Sequence, residues 1–85
     1  MKNVYVIGVF DLFHFGHVEL LRRAKELGDR LIVAINGDEM VASYKRRPFL
    51  SEQDRLEVVK ACRYVDDAFI IHGYDNKEYI KKYDI

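Results

Sequence analysis

The sequence lacks nearly every feature that would place it in a membrane, a secretory pathway or on nucleic acid. It has a single cysteine, Cys62, so no internal disulfide can form, and that usage fits a reducing compartment. No stretch approaches the ~20 apolar residues of a membrane span, and "MKNVYVIG" is not built like a cleavable signal. Lys and Arg number 14, matched by 14 Asp and Glu, so there is no global field to gather a polyanion. One proline and five glycines, with no repeat or low-complexity tract, leave no linker along the chain. A soluble, cytoplasmic protein that neither binds nucleic acid nor inserts into membranes is the expectation. At 85 residues it is at most one small domain.

What is present alternates in period. Val4 to Phe10 is a continuous β-branched and aromatic run, the pattern of a strand buried on both faces. From His17 the spacing turns helical, with Val18, Leu20, Leu21, Ala24 and Leu27 on one face and Gly28 as a stop. Leu31–Ile35 is a second buried strand, followed by a turn into a short helix and a basic loop, Lys45 to Pro48. Ser51, with an acid at Asp54, opens a helix expected to run through Val58, Cys62 and Val65. Ala68–Ile71 is a third strand and Asn76 to Tyr83 a last short helix. Strand and helix in strict alternation predict an α/β fold, a Rossmann-like parallel sheet with flanking helices.

In such sheets ligands bind at the carboxyl ends of the strands, where helix N-termini point their amides outward. "GVFDLFHFGH" occupies that position, with His14 and His17 across Gly16, which lets a ligand approach the backbone. Two imidazoles there can donate to one anion, aided by the helix dipole. Asp11, three residues earlier, is placed to orient a histidine or contact a metal ion. Paired histidines with an acid also compose a metal site, although one ligand short of structural zinc.

His14-Phe-Gly-His17 resembles the signature of the His-x-Gly-His nucleotidyltransferase superfamily, and "RPFLSEQDRLEVVKACRYVDD" narrows the resemblance to cytidylyltransferases. The similarity covers nearly all of residues 3 to 71. It implies transfer of CMP from CTP to a phospho-alcohol (glycerol 3-phosphate, phosphocholine or phosphoethanolamine) with release of pyrophosphate. By position it implies that His14, His17, Lys45 and Arg46 stabilise the reacting phosphates. Gly8, Val9, Phe10, Asp11, Gly16 and Arg63 would surround the nucleotide, and Asp38 and Arg55 the acceptor. Mg2+, travelling with CTP and in reach of Asp11, is the implied cofactor. Heptose-activating adenylyltransferases share parts of the pattern, so an ATP-dependent sugar-phosphate enzyme is an alternative; Arg63-Tyr64 favours cytidine.

Val9 stands where the family has Thr or Cys, and residues 72–85 do not resemble the family's late Ile-Ser-Thr-Thr phosphate-binding segment. The domain, 1–85, is therefore expected to be incomplete at its C-terminus, with an unpaired sheet edge that favours homodimers or higher self-association. The same departures leave a silent nucleotide-binding or assembly module as a further alternative.

Overall fold

A computed structural model describes all 85 residues. Three parallel strands, β1 (Asn3–Gly8), β2 (Arg30–Asn36) and β3 (Asp67–Ile71), lie in the order β1-β2-β3. Val4 pairs in register with Leu31 and Gly8 with Ile35, while Val33 meets Ala68 and Asn36 meets Ile71. Helices α1 (Phe15–Lys25), α2 (Asp38–Ala42), α3 (Glu52–Lys60) and α4 (Lys77–Lys82) complete the chain. The alternating α/β arrangement is thus the Rossmann-like sheet that the sequence predicts.

Side-chain alternation along β2 divides the core. Leu31, Val33 and Ile35 face α1 and α3, packing with Leu21, Ala24 and Val59. Ala34 faces the other way, with Met40 of α2 and Ile71, and Tyr5, Phe69 and Tyr79 close over it. Both faces of the central strand are covered, which is why it reads as an unbroken apolar run. Phe69 stacks on Tyr79 and Tyr83 at 4.5 and 5.7 Å, fixing α4 across the sheet. The Tyr5 hydroxyl donates to Asn76 at 2.9 Å and the Asn3 amide to the Tyr83 carbonyl, tying α4 back to β1. β1 is paired on one side only, and Ile7 on it is exposed.

Three boundaries differ from expectation. The first strand ends at Gly8, because Phe10 turns to φ 55° and lays its buried ring over Gly8. A Cβ at Gly8 would sit 2.7 Å from that ring, so the glycine makes room for it. The apolarity of Val9-Phe10 reflects burial, not pairing. On α1, Leu20 and Leu27 are exposed: Leu20 faces an open cleft and Leu27 lies beyond the last turn. α3 stops at Lys60, and Cys62, Tyr64 and Val65 reach the core from a turn.

At the end of the sheet away from Gly8, Asp66 clamps two elements. Its carboxylate accepts from the Leu31 amide at 2.7 Å and from Lys25 at 2.5 Å, while its own amide donates to the Leu31 carbonyl at 2.9 Å. The Arg63-Tyr-Val-Asp66 stretch therefore splits into two tasks, and its acid is a structural tie.

Candidate active site

The carboxyl ends of β1 and β2 carry the candidate residues. α1 is capped there by a reciprocal histidine pair. His14 Nδ1 accepts from the Gly16 amide at 3.0 Å, and His17 Nδ1 accepts from the His14 amide at 3.0 Å. This is a capping box with imidazole in both roles. An Nδ1 that accepts cannot carry a proton, so each neutral ring is protonated at Nε2, on the side away from the backbone. Two outward N–H donors thus stand side by side at a helix N-terminus, with ring centroids 4.2 Å apart. Gly16 is required by the cap: a Cβ there would lie 2.7 Å from His14 Cε1.

Phe10 and Phe13 hold His17 from behind, with Phe13 stacked on it at 5.3 Å and 16°. Burial, and then the neighbouring His14 ring, lower the His17 pKa below its ordinary 6.5. A depressed folded-state pKa means that the unfolded chain takes up the proton first. The stability His17 contributes is full above pH 6.5 and is lost as pH falls. His17→Gln keeps a capping-box side chain but removes the titration. Its melting temperature should therefore fall less than wild type's between pH 7 and 5, on the order of the histidine range. Overlaying thermal melts would refute this account of the cap.

A cleft of about 350 Å³ is lined by Ile7, Gly8, Phe10, Asp11, His17, Leu20 and Lys45, so the strand end, a histidine and a loop cation share one space. Beside it, a cavity of about 200 Å³ lies under the basic loop between Val9, Asp11, Lys45, Arg46, Arg47 and Phe49. Arg47 is paired with Glu39 at 2.6 Å. Lys45 and Arg46 are exposed and have no side-chain hydrogen bond or ion pair, which leaves two cations free for an anion.

Asp11 accepts from the amides of Phe49 and Leu50 at 2.8 and 3.0 Å. Burial alone would raise its carboxyl, but those two amides and the nearby charge of Arg55 outweigh it and hold the pKa below the usual carboxylate value. Together with the absence of any cluster of three His, Cys, Asp or Glu side chains, this does not fit a magnesium ion held by the protein itself.

Arg55 lies beneath the site. Its side chain is 0% exposed and donates to the carbonyls of Leu50, Val9 and Asn36 and to Asp38 Oδ1, at 3.1, 2.9, 2.7 and 2.6 Å. One guanidinium thus joins the ends of β1 and β2 to the starts of α2 and α3. Asp38 completes the joint: its Oδ2 accepts from the Glu52 amide and its amide donates to Glu52 Oε1, at 3.2 and 2.8 Å. This cap by Glu52 serves α2, whose own N-cap position is Gly37 and has no side chain to offer. Burial would raise the Asp38 pKa, but the Arg55 hydrogen bond, the Glu52 amide and the Arg55 charge lower it. A cation in the first turn of α3 opposes the dipole, and this buried cross-link is the reason it is there.

Arg63 lies in a separate, mostly apolar cavity of about 490 Å³ between α1 and α3, with Phe13, Val18, Val58, Cys62 and Tyr64. It donates to the Tyr64 hydroxyl at 2.8 Å and sits 5.0 Å from that ring. Phe13 is the partition between this cavity and the histidines, a residue that sequence reasoning passed over. Glu52 was missed too, because its task is visible only once residues 38 and 52 are brought together.

Comparison with known proteins places the chain in a family and a fold. The chain is 50% identical over 66 residues to an ethanolamine-phosphate cytidylyltransferase of Dictyostelium discoideum, covering 78% of this chain and 18% of that protein. It is 46% identical over 84 residues to an FAD synthase of Thermococcus kodakarensis, covering 96% and 56%. It is 40% identical over 86 residues to a glycerol-3-phosphate cytidylyltransferase of Staphylococcus aureus, covering 100% and 65%. The chain therefore spans less than two thirds of each of these relatives. A solved structure of a lipopolysaccharide core biosynthesis protein from Thermoplasma volcanium superposes with a TM-score of 0.89 at 32% identity, covering 96% of this chain and 67% of that one. No helix is long and apolar enough to cross a membrane. The profile of the family described as cytidylyltransferase-like matches residues 5–85, and the chain belongs to that family.

Proposed function

We propose that the site transfers the CMP group of CTP to a small phosphorylated alcohol of the phosphoethanolamine or glycerol 3-phosphate type. The observation that carries this is the histidine cap, which leaves an Nε2–H donor on His17, in a cleft shared with Lys45, and a second on His14 beside it, with ring centroids 4.2 Å apart. An oxygen of the acceptor's phosphate attacks the α-phosphorus, forming one P–O bond. The bond from that phosphorus to the oxygen bridging to the β-phosphate breaks, and pyrophosphate departs with the electron pair. The nucleophile is already an anion, so no side chain need deprotonate it. Catalysis rests on positioning and on donors aimed where negative charge builds up.

His14 and His17 would meet the triphosphate and Lys45 and Arg46 would close on it from the basic loop. The Arg63 cavity, one phenylalanine away, would take the base. Gly8, Val9, Phe10 and Gly16 would form the floor, and Asp38 and Arg55 would shape the acceptor side by holding the strand ends together. Magnesium would enter on the phosphates of the nucleotide. The unpaired edge of β1 supports self-association as a further property of the chain.

The FAD synthase relative favours a second reading, in which an adenylyl group goes to a different phosphate monoester. Pyrophosphate release with CTP or ATP, and with glycerol 3-phosphate or phosphoethanolamine as acceptor, separates the two. Turnover with CTP and either acceptor is expected. A preference for ATP would move the protein to the adenylyl reading. Calorimetric binding of CTP without turnover would make it a nucleotide-binding module.

A further inference from the structure

The turn that carries Asp11 is an unusual piece of backbone. Phe10 and Leu12, on either side, have φ of 55° and 50°, in the left-handed region that non-glycine residues seldom occupy. Such residues are strained and persist only where the surroundings fix them. Two contacts do so here: the Phe10 side chain is buried in the core, and the Asp11 carboxylate is fastened to the amides of Phe49 and Leu50. Leu50 is gripped from its other side as well, since its carbonyl accepts from Arg55. The segment after the basic loop is thereby fixed at both amide and carbonyl, and the loop's start is fixed at α2, where the Lys45 amide donates to the Val41 carbonyl at 3.0 Å. Lys45 and Arg46 hang between these two anchors over the 200 Å³ cavity that Asp11 and Phe49 help to line.

We propose that Asp11 is a positioning residue that latches the Lys45–Arg46 loop over the end of β1, so that it acts on phosphates through the loop's cations and not as a metal ligand. A carboxylate facing an anion site would repel the anion. Here each oxygen accepts from a backbone N–H, which offsets that charge and points it at the chain. The latch rests on the reading that Lys45 and Arg46 meet phosphates, and the test keeps the two apart.

Inorganic tripolyphosphate, titrated calorimetrically with magnesium and again with EDTA, probes the loop without a base. Asp11→Ala is expected to weaken binding about tenfold in both conditions, and by less than about twofold once Lys45 and Arg46 are both alanine, the non-additivity of neighbours acting as a unit. Asp11→Asn, which keeps one accepting oxygen, should fall between. Amide hydrogen exchange should accelerate at Phe49 and Leu50 in both Asp11 variants. A loss confined to the magnesium titration, or equal losses with and without the loop cations, would overturn the latch. If wild type fails to bind tripolyphosphate, the phosphate reading of the loop fails. The latch is then decided by exchange alone, and unchanged protection of Phe49 and Leu50 would end it.

Discussion

Replacing Arg55 by methionine is expected to abolish cooperative folding, or to lower the denaturant midpoint so far that the native state is barely populated. Methionine fills similar space but leaves the carbonyls of Val9, Asn36 and Leu50 without their donor and Asp38 without its counter-charge. Removing one partner of a fully buried ion pair costs about 3–5 kcal/mol, and less here, because the Asp38 carboxylate left behind is 23% exposed and keeps the Glu52 amide. Orphaned buried acceptors add to that cost at about 1–3 kcal/mol apiece, although not in full. For an 85-residue chain, total stability on the order of 4–13 kcal/mol is typical, and small domains fall toward the lower end. The loss is thus a large fraction of what holds the fold together. Arg55→Lys keeps the charge but not the fork, and should be intermediate. Urea denaturation followed by circular dichroism reads all three proteins. A methionine variant within about 1 kcal/mol of wild type would be inconsistent with this burial. It would return Arg55 to the acceptor's phosphate, the role its resemblance to the family implies.

That contrast shows where the sequence stops being legible. The three strands are plain in it because β2 is buried on both faces and Val33, Ala34 and Ile35 leave no polar position to confuse the pattern. The histidines are plain because two imidazoles at a strand-to-helix turn have few structural uses. Arg55 reads only as a misplaced cation, since three of its four partners are main-chain carbonyls and carry no side-chain signal. Asp11 is similar: its partners are the amides of Phe49 and Leu50, 38 and 39 residues away, and nothing about those residue types announces them. Leu20 fits the helical stripe as well as Leu21 does, yet it faces the cleft, because periodicity marks an apolar side without saying what lies opposite. A side chain that holds backbone three residues away, as Ser51 holds the Asp54 amide, can be found from the sequence; one that holds backbone 38 residues away, as Asp11 holds Phe49, cannot.

The histidine cap allows a separation that alanine scanning would blur. His14→Ala removes the side-chain acceptor for the Gly16 amide together with the outward Nε2 donor, so any loss of activity is mixed with about 1 kcal/mol of helix destabilisation. Asparagine is among the strongest N-cap residues, and its side-chain oxygen can take over the bond to Gly16. It is too short to carry an N–H where the imidazole Nε2 stands. His14→Asn is therefore expected to melt with wild type while nucleotidyl transfer falls about 10²–10³-fold, the loss seen when one preorganised donor to a developing anion is removed. The loss should appear in kcat more than in KM, because the donor is worth most when charge has accumulated at the phosphates. If His14→Asn instead keeps the wild-type rate, His14 is a cap and nothing more. Charge stabilisation would then fall to His17, whose ring is held by Phe13 on one side and by the His14 amide at Nδ1. The bond that fixes the tautomer is the one that fixes the helix, so protonation at Nδ1 breaks the cap and disturbs the proposed phosphate site in the same step.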